Sequence, residues 1–315
     1  MLNPPDFRKV KTYPLRSRAS KVRLADFARL PRVPGSTRDW LASLPGILAA
    51  KNFRAFVEVV VKAHRGRRPV LLMMGAHMLK CGLGPLILHL LQRRIVTAVA
   101  VTGASVVHDF ELAYQGATSE DVAENLDDGS FGFAEETGRI INEAVAAGAR
   151  RGWGIGEAIG REILRRRLPH RTHSLFANAV TWKIPVTVHV GIGTDIIYQH
   201  PACDGAAWGQ GSYRDFKTLA GVVGDLRGGV VMNWGSAVIL PEVFLKALSV
   251  ARNLGRKADG FTAANFDMNV QYRPLENIVR RPTMKGGGRG YVFVGHHEIM
   301  FPLFVQAVRD RLGRA

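Results

Sequence analysis

Thr187–Leu248 decides the fold: TVHVGIGTDIIYQHPACDGAAWG (187–209), then SYRDFKTLAGVVGDLRG (212–228), then GVVMNWGSAVILPEVFLKAL (229–248). A β-branched apolar run ends in Gly193-Thr194-Asp195, and a helical segment follows. A second apolar run, Gly229 to Met232, ends in Asn233-Trp234-Gly235-Ser236 before another helix. Strand, small-residue loop and helix start together bring backbone N–H groups and a positive helix end to the mouth of a sheet. Open α/β sheets bind ligands at that edge.

The same alternation extends outward. Strands are predicted at Val70–Met74, Ile95–Val101, Val186–Gly191, Gly229–Met232, Gly260–Asn265 and Tyr291–Val294. Helices are predicted over Leu48–Ala63, Pro85–Arg93, Val106–Tyr114, Phe133–Ala147, Gly156–Arg166, Ser174–Trp182, Ser212–Leu226, Pro241–Asn253 and Glu298–Leu312. Alternating strands and helices imply a doubly wound, mainly parallel Rossmann-like α/β sheet with helices on both faces. Residues 1–40, rich in Pro and Arg, are expected to be a basic N-terminal arm. Residues 41–315 are expected to be one domain, since no linker interrupts them.

The 315 residues are 47% hydrophobic and carry a formal net charge of +17. The basic residues cluster in Arg8–Arg38, Arg65–Arg68 and Arg165–Arg167. No nucleic-acid motif accompanies them, so a solvated basic surface is expected rather than a nucleic-acid interface. No apolar run approaches the roughly 18 residues of a membrane span, and no signal-peptide core stands at the N-terminus. Cys81 and Cys203 are far apart and form no CxxC. A reducing, cytoplasmic setting is expected, without disulfides or a cysteine zinc site.

Three predicted strand ends carry small hydrogen-bonding loops: Thr102-Gly103-Ala104-Ser105, Gly193-Thr194-Asp195 and Asn233-Trp234-Gly235-Ser236. Gly and Ala admit a ligand to the backbone, Ser and Thr add donors, and Asp195 can accept ribose hydroxyls or an ammonium. Together they predict a nucleotide site. Two glycine-rich segments are discounted. Gly154-Ile155-Gly156-Glu157-Ala158-Ile159-Gly160 follows a helix rather than a strand, and Lys285–Gly290 has no helix after it. His296-His297-Glu298 lies where the last strand gives way to the last helix. One of these histidines, with Glu298, His189, Asp195 or His200, can build a metal or proton-transfer site; no metal ligand is assigned.

In order and spacing these blocks resemble the deoxyhypusine synthase family over roughly residues 45–312. The matching segments are Val101–Ser105 through Asp109, Ile184-Pro185-Val186, Thr194-Asp195, Asp225-Leu226 before Gly235-Ser236, Thr262–Asp267 and Phe301-Pro302-Leu303. The resemblance implies a homotetramer holding NAD in clefts between subunits. It also implies aminobutyl transfer from a polyamine such as spermidine to an acceptor protein or small amine. Carried onto this chain, the cofactor residues are Thr102, Gly103, Ala104, Ser105, Asp195, Gly235, Ser236, Thr262, Ala263 and Asp267. The substrate residues are His108 and Asp109. The family's attacking lysine lies in a Trp-Gly-Lys segment, and here Lys285 is the only lysine nearby. The family's base histidine has no counterpart among Ala237–Pro241. Lys285, His296, His297 and Glu298 are therefore the catalytic candidates. The alternative is a divergent member that binds NAD but runs another NAD- or metal-assisted reaction, or serves as a scaffold.

Overall fold

Val70–Met74 (VLLMM) is buried at every position. Only a strand covered on both faces tolerates such a run. In a computed structural model of the chain, describing residues 5–19, 21–31, 33 and 35–313, that strand is central. Six parallel strands form one sheet: β1 (Val70–Met74), β2 (Ala98–Thr102), β3 (Val186–His189), β4 (Val230–Trp234), β5 (Thr262–Asp267) and β6 (Arg289–Val294). Their order is β3-β2-β1-β4-β5-β6. The chain winds outward from β1 to one side, returns to pair β4 with β1, and winds to the other. The switch point of this doubly wound sheet lies between β1 and β4.

The helices are α1 (Thr37–Ser43), α2 (Leu48–Arg65), α3 (His77–Lys80), α4 (Gly84–Gln92), α5 (Ala104–Gln115), α6 (Val122–Leu126), α7 (Glu135–Arg151), α8 (Ile155–Arg165), α9 (Leu175–Trp182), α10 (Gly205–Gly224), α11 (Ile239–Asn253), α12 (Tyr272–Pro274), α13 (Arg281–Thr283) and α14 (His297–Leu312). Alternate residues of β1 feed two separate cores. Val70, Leu72 and Met74 join one with α2, α4, α5, α7, α9 and α14. Leu71 and Met73 join the other with Leu219 and Val223 of α10 and Phe244 and Leu248 of α11. The period-two pleat thus places helices on both faces, as the alternation predicts.

Several glycines fix this frame by backbone contact. A Cβ at Gly156 of α8 would lie 1.9 Å from the Val186 carbonyl oxygen, and one at Gly160 would lie 2.3 Å from that of Phe176. The Gly154–Gly160 segment is a helix-packing surface, consistent with its lack of a preceding strand. Gly229, entering β4, would meet the Pro69 carbonyl oxygen at 2.3 Å.

Several element boundaries differ from expectation; β2, for one, is Ala98–Thr102 rather than Ile95–Val101. β4 runs on through Asn233 and Trp234, which keep their pairing with Met73 and Met74. α10 starts at Gly205, two turns early, because Asp204 caps Ala206 and Ala207. Gly205, Gly209 and Gly211 hide that turn's period. The unassigned stretch before β6 is helical, with a π-helical turn at Leu275–Arg280. At the other end, α1 is capped by Ser36 and crosses the 40/41 boundary. The part of the arm at Met1–Pro4, Ser20, Arg32 and Pro34 lies outside the described residues.

Candidate functional site

In a parallel sheet every strand delivers its C-terminal residue to one edge. That edge here gathers Gly75, Ala76 and His77 after β1, Thr102–Ser105 after β2, Asp195 after β3 and Gly235-Ser236 after β4. It also gathers Asp267 at the end of β5 and Gly295–Glu298 after β6. The β1 and β4 turns touch: a Cβ at Gly75 would lie 2.7 Å from the Gly235 carbonyl oxygen. Gly235 itself has φ +68°, a left-handed conformation that disfavours side chains.

His297 sits under this turn and is only 1% exposed. A Cβ on Gly235 would fall 2.6 Å from its Nε2. Its ring lies 5.9 Å from those of His77 and Trp234. Burial holds its pKa below the ordinary imidazole range, with the Asp267 carboxylate opposing. It is therefore neutral near pH 7. Trp234 stacks face to face on Phe266 at 3.8 Å and floors the site. Asn233 donates from Nδ2 to the Ser236 carbonyl (2.9 Å) and to Asn265 Oδ1 (2.7 Å). Ser236 Oγ accepts from Leu240 N–H (3.2 Å) at the start of α11.

Buried polar atoms at this edge with no partner among the described residues include Ser105 Oγ, Tyr198 Oη, Asn233 Oδ1, Trp234 Nε1 and His297 Nδ1. Buried polar atoms are nearly always paired. A run of exceptions along one sheet edge marks a place that a polar ligand or water completes.

At the β2 end, Asp195 leans onto the start of α5. A Cβ on Gly103 would meet its Oδ2 at 2.3 Å and the Tyr198 hydroxyl at 2.9 Å. Burial raises the Asp195 pKa, while the Tyr198 and Thr194 hydroxyls and the Ala104 N–H beside it act against that. The same burial, with Asp195 alongside, pushes the Tyr198 phenol far up. Deeper on α5, His108 Nδ1 is 2.8 Å from Thr118 Oγ1. The Thr118 hydroxyl donates to Glu111 (2.6 Å), which also accepts from Thr137 (3.1 Å). Burial, then the Lys80 charge, lowers the His108 pKa to about 4. A cavity of about 540 Å³ opens here, lined in part by Lys80, Thr118, His170 and His173.

The remaining predicted residues fall elsewhere. Asp109 is buried and saturated, accepting from Ser174 Oγ (2.5 Å), Leu175 N–H (2.6 Å) and Phe176 N–H (3.4 Å). It anchors the start of α9. Thr262 opens β5, at the amino edge, and Ala263 is wholly inside the second core. Five strand rises of about 3.3 Å separate Thr262 from Asp267, roughly 17 Å. Lys285 precedes β6 and His296–Glu298 follow it, so a similar length of strand divides these catalytic candidates within one chain. Nothing in the sequence marks a strand's direction of delivery more finely than its boundaries, which explains the spread.

Gly75 and His77 carry no expectation from the sequence, which marks Cys81 only as an unpaired cysteine far from Cys203. The available signal was the predicted strand Val70–Met74 running directly into Gly75-Ala76-His77. Cys81 Sγ is 3.0 Å from His77 Nε2. Burial, then the Glu298 charge, raises the Cys81 thiol pKa. At the opposite edge of the sheet, a cavity of about 600 Å³ is lined by His64, Arg65, Arg67, Arg68, Arg93 and Arg94 among others. Basic charge thus gathers at the amino edge, and carboxylates gather at the carboxyl edge.

No family model matches the sequence, and no curated protein does. Solved structures do match. A LOR/SDH protein from Methanococcus maripaludis S2 superposes with a TM-score of 0.54 at 12% identity, over 84% of this chain and 69% of that one. AgrE in ternary complex with ornithine and NAD+ gives 0.51 at 14% identity, over 84% of this chain and 34% of that one. A protein described as a deoxyhypusine synthase from Entamoeba histolytica gives 0.50 at 11% identity, over 95% of this chain and 96% of that one. ArgZ, an arginine dihydrolase from the ornithine–ammonia cycle in cyanobacteria, gives 0.50 at 15% identity; the chain covers 31% of it. The chain therefore spans about a third of ArgZ and AgrE. At these identities the likeness shows the Rossmann-like fold alone.

Proposed function

We propose that this chain is an NAD-dependent enzyme that oxidises an amine-bearing substrate at the carboxyl edge of its sheet. The observation that carries this is the row of unpartnered buried polar atoms, Ser105, Asn233, Trp234 and His297, flanking the switch point. The superposable AgrE was bound to ornithine and NAD+, which supports both halves of the proposal.

The donor set suits the cofactor. Ser236 and the turn leading into α11 offer N–H groups to a pyrophosphate, while the Gly235 N–H is held by the Phe266 carbonyl, and Asp267 or Asp195 can accept ribose hydroxyls. Ser105 supplies a further hydroxyl. Asp195 already leans on the start of α5, so a phosphate is better served by α11. Bound there, NAD+ supplies the acceptor for a hydride from the carbon bearing the amine. The chain's own residues do the rest. Whichever of Asp195 and Asp267 does not hold the ribose attracts the substrate ammonium, and neutral His297 can take a proton at Nδ1.

Within one chain Lys285 does not reach this edge, so a lysine-borne transfer step requires either a neighbouring chain's Lys285 or another amine. This favours amine oxidation over the aminobutyl transfer that the family resemblance implies, although a polyamine such as spermidine remains in the substrate class. Exposed Ile192, Val238, Met268, Val270, Tyr272 and Ile299 surround the edge. Such an apolar rim supports a homo-oligomer closing over the cleft, as the resemblance expects.

Titrating the protein with NAD+ by calorimetry, then assaying NADH formation with spermidine, putrescine and ornithine, tests the proposal. NAD+ should bind, and Asp267→Asn should weaken it about tenfold, some 1.4 kcal/mol. No heat of binding at millimolar NAD+ would sink it.

A further inference from the structure

We infer that His77, Cys81 and Glu298 form a zinc site at the switch point. The three offer an imidazole nitrogen, a thiol sulfur and a carboxylate oxygen, all within 4.8 Å of one another. Cys81 Sγ and His77 Nε2 are already 3.0 Å apart. The His77-x-x-x-Cys81 spacing brings both to one side of the α3 turn, and Glu298 reaches them from the first turn of α14. The sequence expectation of no cysteine zinc site looked for paired cysteines; an i, i+4 His/Cys pair spanning a four-residue helix and its C-cap escapes it.

A second, independent observation points to the same place. His297 stands next to Glu298 at the start of α14, its ring is 5.9 Å from that of His77, and its buried Nδ1 is unpartnered among the described residues. Buried polar atoms are nearly always paired, so one left open on the residue next to Glu298 points to a missing partner here. The mixture of sulfur, nitrogen and oxygen selects the metal class. Thiolate with imidazole suits zinc and cobalt, whereas magnesium and calcium require all-oxygen cages. Three protein donors leave a tetrahedral ion one position short. Catalytic zinc sites have that composition, with water or a substrate heteroatom completing them. The site would take Zn2+ together with such a small heteroatom ligand. It does not depend on NAD binding, because metal content is measured without cofactor or substrate.

The test uses the full chain without a histidine tag, stripped with EDTA and titrated with CoCl2. One Co2+ per chain should bind and produce the near-ultraviolet absorption of a cobalt–thiolate bond, which Zn2+ then displaces. Cys81→Ser should abolish that absorption, while Cys203→Ser should leave it intact. Glu298→Gln, at an exposed position that does not threaten folding, should weaken Co2+ binding about tenfold or more. Retained absorption in Cys81→Ser, its loss in Cys203→Ser, or a wild-type chain that stays folded and binds no stoichiometric Co2+ would each overturn the assignment.

Discussion

Replacing Asp109 by alanine should cost about 4 kcal/mol of folding stability. The carboxylate is 1% exposed and accepts three hydrogen bonds, two of them from the first N–H groups of α9. Truncation strands those N–H groups in a dry interior, at roughly 1–3 kcal/mol for each orphaned donor. Losing a negative charge at a helix start adds about 0.5–1 kcal/mol. The 3.4 Å bond to Phe176 is long and counts at the low end. Asp109→Asn keeps one acceptor for Leu175 and should cost about half as much, near 2 kcal/mol. Urea denaturation followed by circular dichroism measures both variants. Hydrogen exchange should show the Leu175 and Phe176 amides losing protection first. If Asp109→Ala unfolds within about 0.5 kcal/mol of the unsubstituted protein and only the Michaelis constant for substrate moves, the anchoring role is wrong and the substrate role implied by resemblance stands.

The site and its surroundings give three more expectations. Gly235→Ala should destabilise by about 3 kcal/mol, from its left-handed backbone and from a methyl pressed onto His297 Nε2; an unchanged melting temperature would mean His297 is not locked there. Lys285→Ala should leave NADH formation unchanged, and a loss of about tenfold would bring a neighbouring chain's Lys285 into the cleft. Burial lowers the His189 pKa to about 4, below the ordinary value near 6.5, so its stabilising contribution is full above about 6.5 and is lost as pH falls toward 4. Burial raises Asp109 to about 6 and Asp215 to about 7, so their contributions are full below about 4 and are lost as pH rises through those values. His189→Gln should therefore gain stability relative to the unsubstituted protein on acidification from pH 6.5 to 4.5; parallel urea midpoints would remove His189 from the balance.

Much of the fold was legible because its strands are short β-branched or apolar runs separated by helical periods. Val70–Met74 and Val186–Gly191 read as strands from their apolar, partly β-branched runs, the second ending two residues early at His189. Asn233-Trp234-Gly235 misled because polar and aromatic residues at a strand end look like a loop, while their ladder partners lie far away in sequence. The site was half legible. Thr102–Ser105, Asp195, Gly235 and Asp267 do share an edge, since each follows or ends a strand. Thr262 and Lys285 do not, because a shift of a few residues in a strand boundary carries a side chain from one edge to the other. His77 escaped altogether, and Cys81 registered only as an unpaired cysteine. Their significance depends on strand order, which places β1 beside β4, and a single chain's periodicity does not encode that order.

The backbone contacts at Gly156, Gly160 and Gly229 divide the protein into parts that can and cannot drift. At those three positions a single methyl would collide with a main-chain oxygen that no rotamer change can move. Edge residues such as His77, Asp195 or Glu298 carry no comparable constraint from packing. Descendants of such a chain can exchange chemistry at the rim while inheriting the frame, and likeness then survives in shape after it has faded from the letters. Distant kin of this protein should be sought by the spacing of those glycines against strand starts, before any comparison of reactive side chains.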